Sequence, residues 1–201
     1  MVGMARDVFI GAVAGFLTGI FTLVVLFYLD LTFPYKNLLL LGGISFLWAA
    51  GVWLGYFLSR FFGFFRQFGK FATVGFLSAA IDFAVLNIVS SFTGITAGNV
   101  VGLVNIPGFS IAVLNGYLWN KLWVFGAQSN DNEALFGDFP KFLTVTVLGL
   151  LFNSGIVVFL TTYVAAPEFF TPQEWLNVAK VFANAVALVW NFIGYKFVAF
   201  R

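Results

Sequence analysis

Six apolar segments, separated by short polar stretches, constrain the fold of this chain more than any other feature. Each has about 20 residues or more, the length that an α-helix needs to cross a hydrocarbon core of about 30 Å. Only 9% of the residues are charged, against about 25% in soluble domains, so the chain cannot coat a surface that faces water. The sequence predicts an all-α transmembrane protein with six helices, near residues 8–29, 38–58, 71–92, 100–124, 142–164 and 176–197.

The chain lacks the residues on which several kinds of protein chemistry usually depend. The chain has no cysteine and no histidine, so the common zinc and haem ligands and the thiol nucleophile are missing. The net charge is +2 and no basic run occurs, which argues against nucleic acid as a partner. We expect no metal, no cofactor and no catalytic site.

Basic residues are distributed unevenly between the two ends of the apolar segments. One side collects Arg6, Arg60, Arg66, Lys70, Lys121, Lys141, Lys196 and Arg201, and the other has Lys36 with Asp30, Glu168 and Glu174. Lys and Arg gather on the cytoplasmic side of membrane proteins. We therefore expect a multi-pass membrane protein with six crossings and both termini in the cytoplasm.

The first apolar segment carries small residues at helical spacing. It is too long for a signal peptide, and we expect it to be retained as a helix. Gly11, Gly15 and Gly19 lie on one face, and Gly51 and Gly55 repeat this spacing in the second segment. Such faces let two helices approach closely in lipid. The favoured interpretation is packing of the first two helices on each other, and the alternative is a homo-oligomer through Gly11, Gly15 and Gly19.

The chain after the second segment contains an internal repeat. Residues 68–77 (FGKFATVGFL) match residues 139–148 (FPKFLTVTVL), and residues 120–125 (NKLWVF) match residues 195–200 (YKFVAF). A helical pair duplicated in tandem enters the membrane twice from the same side. We predict a four-helix bundle at residues 67–201, built from parallel repeats at about 67–126 and 138–201. A two-helix extension at residues 1–66 precedes it.

Alignment of the repeats pairs Asp82 with Asn153, and Asn105 with Lys180. Asp82 lies about 18 Å along a helix from Lys70, near the middle of the membrane. An ionisable group at that depth costs at least about 2.5 kcal/mol and is expected to face protein or water and to have a partner. The flexible stem of Lys180 can reach Asp82. A purely structural pair and a functional pair are both left open.

These residues resemble the GtrA-like family of small polytopic membrane proteins over residues 68–201. The resemblance lies in Lys70-Phe71…Val74-Gly75…Asp82, in the 120–125 ending, and in Lys180…Asn191-Phe-Ile-Gly-Tyr-Lys196. It implies a carrier that helps polyprenyl-phosphate-linked sugars across the cytoplasmic membrane for cell-surface glycosylation. Similar domains are fused to, or work beside, polyprenyl-phosphate glycosyltransferases. The usual member has four helices, so residues 1–66 depart from the pattern.

The main hypothesis is therefore a flippase for a lipid-linked sugar. Lys70, Lys121, Lys141 and Lys196 would receive the phosphate, and Asp82, Asn105, Asn153, Lys180, Asn184 and Asn191 would form a polar stripe for the sugar. The alternative is a scaffold or anchor subunit for a polyprenyl-phosphate glycosyltransferase, which needs no buried polar stripe. An enzyme is the least favoured class, because Asp82 lacks a second carboxylate or an activated nucleophile. A small ion channel would need an acidic intramembrane site without Lys180.

The predicted topology can be tested by cysteine labelling. A cysteine introduced in the loop at residues 93–98 should react with an impermeant reagent added outside the cell, and a cysteine at Gln128 should be protected, because the basic residues place these segments on opposite sides. The reverse labelling pattern would contradict the topology.

Overall fold

The computed structural model describes residues 2–124 and 139–194, and every regular element in these ranges is helical. The helices are α1 (Val2–Tyr28), α2 (a π-helical turn Leu38–Gly43 followed by Ile44–Leu58), α3 (Phe64–Thr93), α4 (Val101–Trp119, continued by the π-helical Asn120–Val124), α5 (Phe139–Tyr163) and α6 (Pro172–Gly194). The predicted all-α fold with six helices is confirmed.

Five of the helices in the described ranges are long and apolar enough to cross a membrane, namely α1 to α5. The sixth, α6, has 23 residues, which is also a spanning length, but it carries a face of amides and Lys180. The start of α3 differs from the prediction, since the helix begins at Phe64 rather than near residue 71. Hydropathy detects only the part of a helix that lies in lipid, whereas Arg, Gln and Lys continue a helix readily outside it.

Contacts divide the chain into two compact units, and the division cuts through α3 and α4. Of the described residues, unit 1 contains 2–84 and 114–124, and unit 2 contains 85–113 and 139–194. The predicted domains, 1–66 and 67–201, rest on resemblance rather than on contacts. Their boundary stays a prediction.

In unit 1 the glycine face of α1 lies directly against α2. A Cβ atom built on Gly15 would lie 2.6 Å from the Cα of Ser45 and 2.7 Å from the carbonyl oxygen of Ile44. Similar atoms built on Gly11 and Gly19 would also collide with α2. The structure therefore shows the intramolecular packing, and the homo-oligomer through these glycines stays a prediction.

The helix α2 approaches α3 in the same way. A Cβ atom on Gly55 would lie 2.7 Å from the carbonyl oxygen of Phe65, and one on Gly69 would lie 3.0 Å from the carbonyl oxygen of Gly51. Close backbone approach through small residues gives van der Waals contact that lipid cannot replace. The N-terminal hairpin, which consists of α1 and α2, thus packs against α3 within unit 1.

In unit 2 the start of α6 is set by a capping box. The hydroxyl of Thr171 accepts a hydrogen bond from the backbone amide of Glu174 at 3.2 Å. The Glu174 carboxylate accepts one from the backbone amide of Thr171 at 2.7 Å. The backbone amide and the hydroxyl of Thr171 both donate hydrogen bonds to the Glu174 carboxylate, and these bonds hold the pKa of Glu174 below its ordinary value. Pro172 occupies the first helical position, where its missing amide donor is not needed. The inward face of α6 carries Leu176 and Ala183, which join a core with Leu86, Val101, Val104 and Val157.

Alanine substitutions should distinguish glycines that touch a neighbouring helix from glycines that have space for a Cβ atom. Gly15→Ala should destabilise the protein by about 1–3 kcal/mol, because the added methyl group overpacks the α1–α2 contact. Gly51→Ala, whose Cβ would meet no atom within 4 Å, should be neutral or gain about 0.5–1 kcal/mol from helix propensity. Unfolding in detergent measures both, and equal stability of the two variants would contradict the packing.

Candidate functional site

Lys180 on α6 is the centre of a buried polar network in unit 2. Its side chain is 0% exposed. The ammonium donates to Oδ1 of Asn105 and, at 2.9 Å, to Oδ1 of Asn153, and it lies 6.0 Å from the centroid of the Phe109 ring. An ammonium removed from water is tolerated only where acceptors and π-faces replace its hydration. Helices α4 and α5 supply those groups.

The amides that accept from Lys180 are themselves joined. Nδ2 of Asn105 donates to Oδ1 of Asn153 at 2.7 Å and to Oγ of Ser154 at 3.0 Å, and Nδ2 of Asn153 donates to Oδ1 of Asn184 at 2.8 Å. We call these five residues the Lys180 network. It brings together four residues of the predicted polar stripe: Lys180, Asn105, Asn153 and Asn184.

A second cluster lies nearer the start of α6 and was missed by the sequence analysis. Asn87 and Asn177 exchange two amide hydrogen bonds, at 2.7 and 2.8 Å. Gln173 donates to Asn87 at 2.7 Å and accepts from Ser90 at 3.1 Å. We call these four residues the Asn87 cluster. Its signal in the sequence is the spacing of Gln173 and Asn177 with Lys180, at i, i+4 and i+7 of one helix face.

Together, the Asn87 cluster and the Lys180 network form what we call the polar column. From Gln173 to Asn184 it follows α6 for about 17 Å, roughly half of a hydrocarbon core of about 30 Å. The opposite face of α6 is apolar and outward, with Phe182 59% exposed and Val181 and Val186 also exposed. The helix therefore places its polar face inside the protein and its apolar face toward lipid.

Asp82, the other predicted intramembrane charge, is 3% exposed on α3. It belongs to unit 1, whereas Lys180 belongs to unit 2. One turn before Asp82, Ser78 accepts a hydrogen bond from Asn115 at 2.9 Å within unit 1. The Asp82–Lys180 pair stays a prediction.

Of the four lysines predicted to bind phosphate, the structure describes the side chain of Lys70. Lys70 is 8% exposed and its ammonium forms an ion pair with Asp7. Lys196 lies outside the described residues, as do the side chains of Lys121, Lys141 and Asn191. Their roles stay predictions.

Asp7 is a buried carboxylate that the sequence analysis overlooked, because it directly precedes the first predicted segment. It is 2% exposed. Its Oδ2 accepts from the Tyr56 hydroxyl at 2.5 Å and pairs with Lys70, and its Oδ1 accepts from the Trp123 indole N–H at 3.1 Å. The signal was an acidic residue at the entry of an apolar helix, on the side rich in basic residues. Within the described ranges, no three Asp or Glu residues come together in a group that could hold a metal ion.

Comparison with known proteins identifies the family. The GtrA/DPMS transmembrane domain matches residues 70–200 of this chain. The chain belongs to this family. Uncharacterized membrane protein YwcD of Bacillus subtilis (strain 168) is 29% identical over 118 residues, which cover 58% of this chain and 87% of that protein. No solved structure matches. The predicted GtrA-like resemblance is confirmed, and the protein is a multi-pass membrane protein.

Neighbouring substitutions on α5 should show the importance of the Lys180 network. Asn153→Leu should destabilise the protein by about 1–3 kcal/mol, since it leaves Lys180, Asn105 and Asn184 each without one hydrogen bond. Ser154→Ala removes a single bond and should cost about 0.6 kcal/mol, the average for an interhelical bond in a membrane. Detergent unfolding measures both, and a smaller effect at Asn153 than at Ser154 would contradict the network.

Proposed function

We propose that this protein is a transbilayer carrier, or flippase, for a polyprenyl-phosphate-linked sugar that supports cell-surface polysaccharide or glycoconjugate glycosylation. It would act in the cytoplasmic membrane with both termini in the cytoplasm. Membership of the GtrA/DPMS family relates the chain to the handling of polyprenyl-phosphate sugars. The observation that carries the proposal is the buried Lys180 network.

The chemistry of the substrate explains why a carrier needs such a network. An isoprenoid tail dissolves in the bilayer, whereas a phosphate and the hydroxyl groups of a sugar lose their hydrogen bonds to water there. Asn side chains offer both donors and acceptors, as sugar hydroxyls do. A Lys ammonium is a compact positive charge that binds phosphate. The polar column provides both groups across about half of the membrane thickness.

The same network disfavours a scaffold as the main role. A Lys at the centre of a transmembrane helix costs about 2.5–3.5 kcal/mol on insertion scales, and such residues usually mark transport pathways. A scaffold for a glycosyltransferase needs an exposed docking surface rather than a buried ammonium held by Asn105 and Asn153. We keep the scaffold as an outcome of the test.

Transport by the purified protein in vesicles tests the proposal. A polyprenyl-phosphate-linked sugar is placed in one leaflet, and its appearance in the other is followed with a sugar-modifying enzyme that cannot cross the membrane. Lys180→Met replaces the buried ammonium with an apolar side chain, and Asp82→Asn/Lys180→Met takes its place if loss of the ammonium alone prevents folding. Its transport should fall about tenfold or more, since hydrogen bonds to a charged group contribute about 1.5–3 kcal/mol.

The matched control is Phe182→Leu on the lipid-facing side of α6, which should transport like the unmodified protein. A folded Lys180→Met variant with normal transport would contradict the role of the polar column. If the unmodified protein moves no lipid, but a polyprenyl-phosphate glycosyltransferase loses activity without it, the scaffold replaces the carrier.

A further inference from the structure

The carboxylate of Asp7 lies among hydrogen-bond donors in unit 1. Tyr56 supplies a hydroxyl, Trp123 an indole N–H and Lys70 an ammonium. The Lys70 ammonium also lies 5.9 Å from the Tyr56 ring centroid and 5.7 Å from the Trp123 ring centroid. Since all three groups donate, their arrangement around the carboxylate is suited to an anion with several acceptor oxygens.

The site combines residues from two parts of the chain. The donors Lys70 and Trp123 lie within the family match at residues 70–200, whereas Asp7 and the third donor, Tyr56, precede it. The family domain therefore carries two of the three donors, and the N-terminal hairpin adds the third donor and the carboxylate.

Positive charge around this carboxylate exceeds what one carboxylate balances. Besides Lys70, the Arg6 guanidinium lies 3.9 Å from Asp7, with its side chain 72% exposed. The Arg66 guanidinium lies 5.9 Å from the Tyr56 ring centroid. A phosphate monoester carries a charge of about −1.5 to −2 and three acceptor oxygens. It would balance these cations better than a single carboxylate does.

We propose that Lys70, Tyr56 and Trp123 form a phosphate-binding site that Asp7 occupies as an internal counter-anion. A phosphate group enters by displacing the Asp7 carboxylate, which can turn toward the exposed Arg6 at the start of α1. The hairpin thus controls access of phosphate to Lys70. The inference rests on the proposed function only in taking a phosphate-bearing lipid as the physiological ligand.

Binding of polyprenyl phosphate to the full chain in nanodiscs, read by native mass spectrometry, tests this site. Asp7→Asn keeps the shape of the side chain and its acceptor oxygen but removes the competing charge. It should bind the lipid about tenfold more tightly, as expected when an anion held by charge-assisted hydrogen bonds no longer competes. Asp7→Asn/Lys70→Gln should lose this gain, because the ammonium is also gone.

Asp30→Asn is the matched control, since it removes another carboxylate that lies in the turn after α1, and it should leave the affinity unchanged. Inorganic phosphate is measured in parallel. Tight binding of phosphate alone would assign the site to the free ion, and binding of the lipid alone would assign it to the headgroup. Should Asp7→Asn not fold, Asp7→Ser replaces it, because a hydroxyl is also neutral and is smaller than the amide.

A folded Asp7 variant with unchanged or weaker affinity would overturn the inference and leave Asp7 as a structural clip between helices. An equal gain in Asp7→Asn and in the double variant would overturn it too, since Lys70 would then not be the receiving group. This assay measures binding without transport. Failure of the carrier proposal and failure of this site are therefore distinguishable.

Discussion

The side chain of Lys180 is fully buried, and unit 2 is arranged around that constraint. A buried charge requires acceptors in fixed positions, so α4 and α5 must each present a carbonyl oxygen at the same level of α6. Asparagine provides the oxygen but brings an amide N–H₂ that needs an acceptor in turn. That need extends the network from Asn105 and Asn153 to Ser154 and Asn184. The Lys180 network thus forms because one buried charge needs acceptors and those acceptors need hydrogen-bond partners of their own.

The duplicated sequence explains where the partners of Lys180 come from. The repeat alignment pairs Asn105 with Lys180 and Asp82 with Asn153, and three of these four positions meet in the Lys180 network. At each pair of equivalent positions, one copy kept an amide and the other an ionisable group. Divergence between the copies thus supplied both the charge and the neutral groups that solvate it. Two identical copies would have brought like groups together.

The N-terminal hairpin precedes the family match at residues 70–200, but it packs closely within unit 1. Glycine faces bring α1 against α2 and α2 against α3, and Asp7 connects them to Lys70 and Trp123. We expected Lys70 to receive the phosphate directly. Its ammonium is already paired with the Asp7 carboxylate, so this role has to account for that carboxylate. Whatever binds Lys70 must compete with a carboxylate that this chain itself provides.

Much of the fold could be predicted from the sequence, because the burial of an apolar helix in lipid depends on local composition and length. The helices, the family, and the inward face of Lys180 and Asn184 all depend on such local patterns. The partners of Asp7 and the Asn87 cluster could not be predicted, since Tyr56, Lys70 and Trp123 lie far from Asp7 in sequence. The glycine faces predicted that α1 packs on α2, but they did not predict that α2 also approaches α3 at Gly55 and Gly69, which are distant from each other in sequence. The local sequence determined which polar groups needed hydrogen-bond or ion-pair partners. Only the tertiary structure determined which residues serve as those partners.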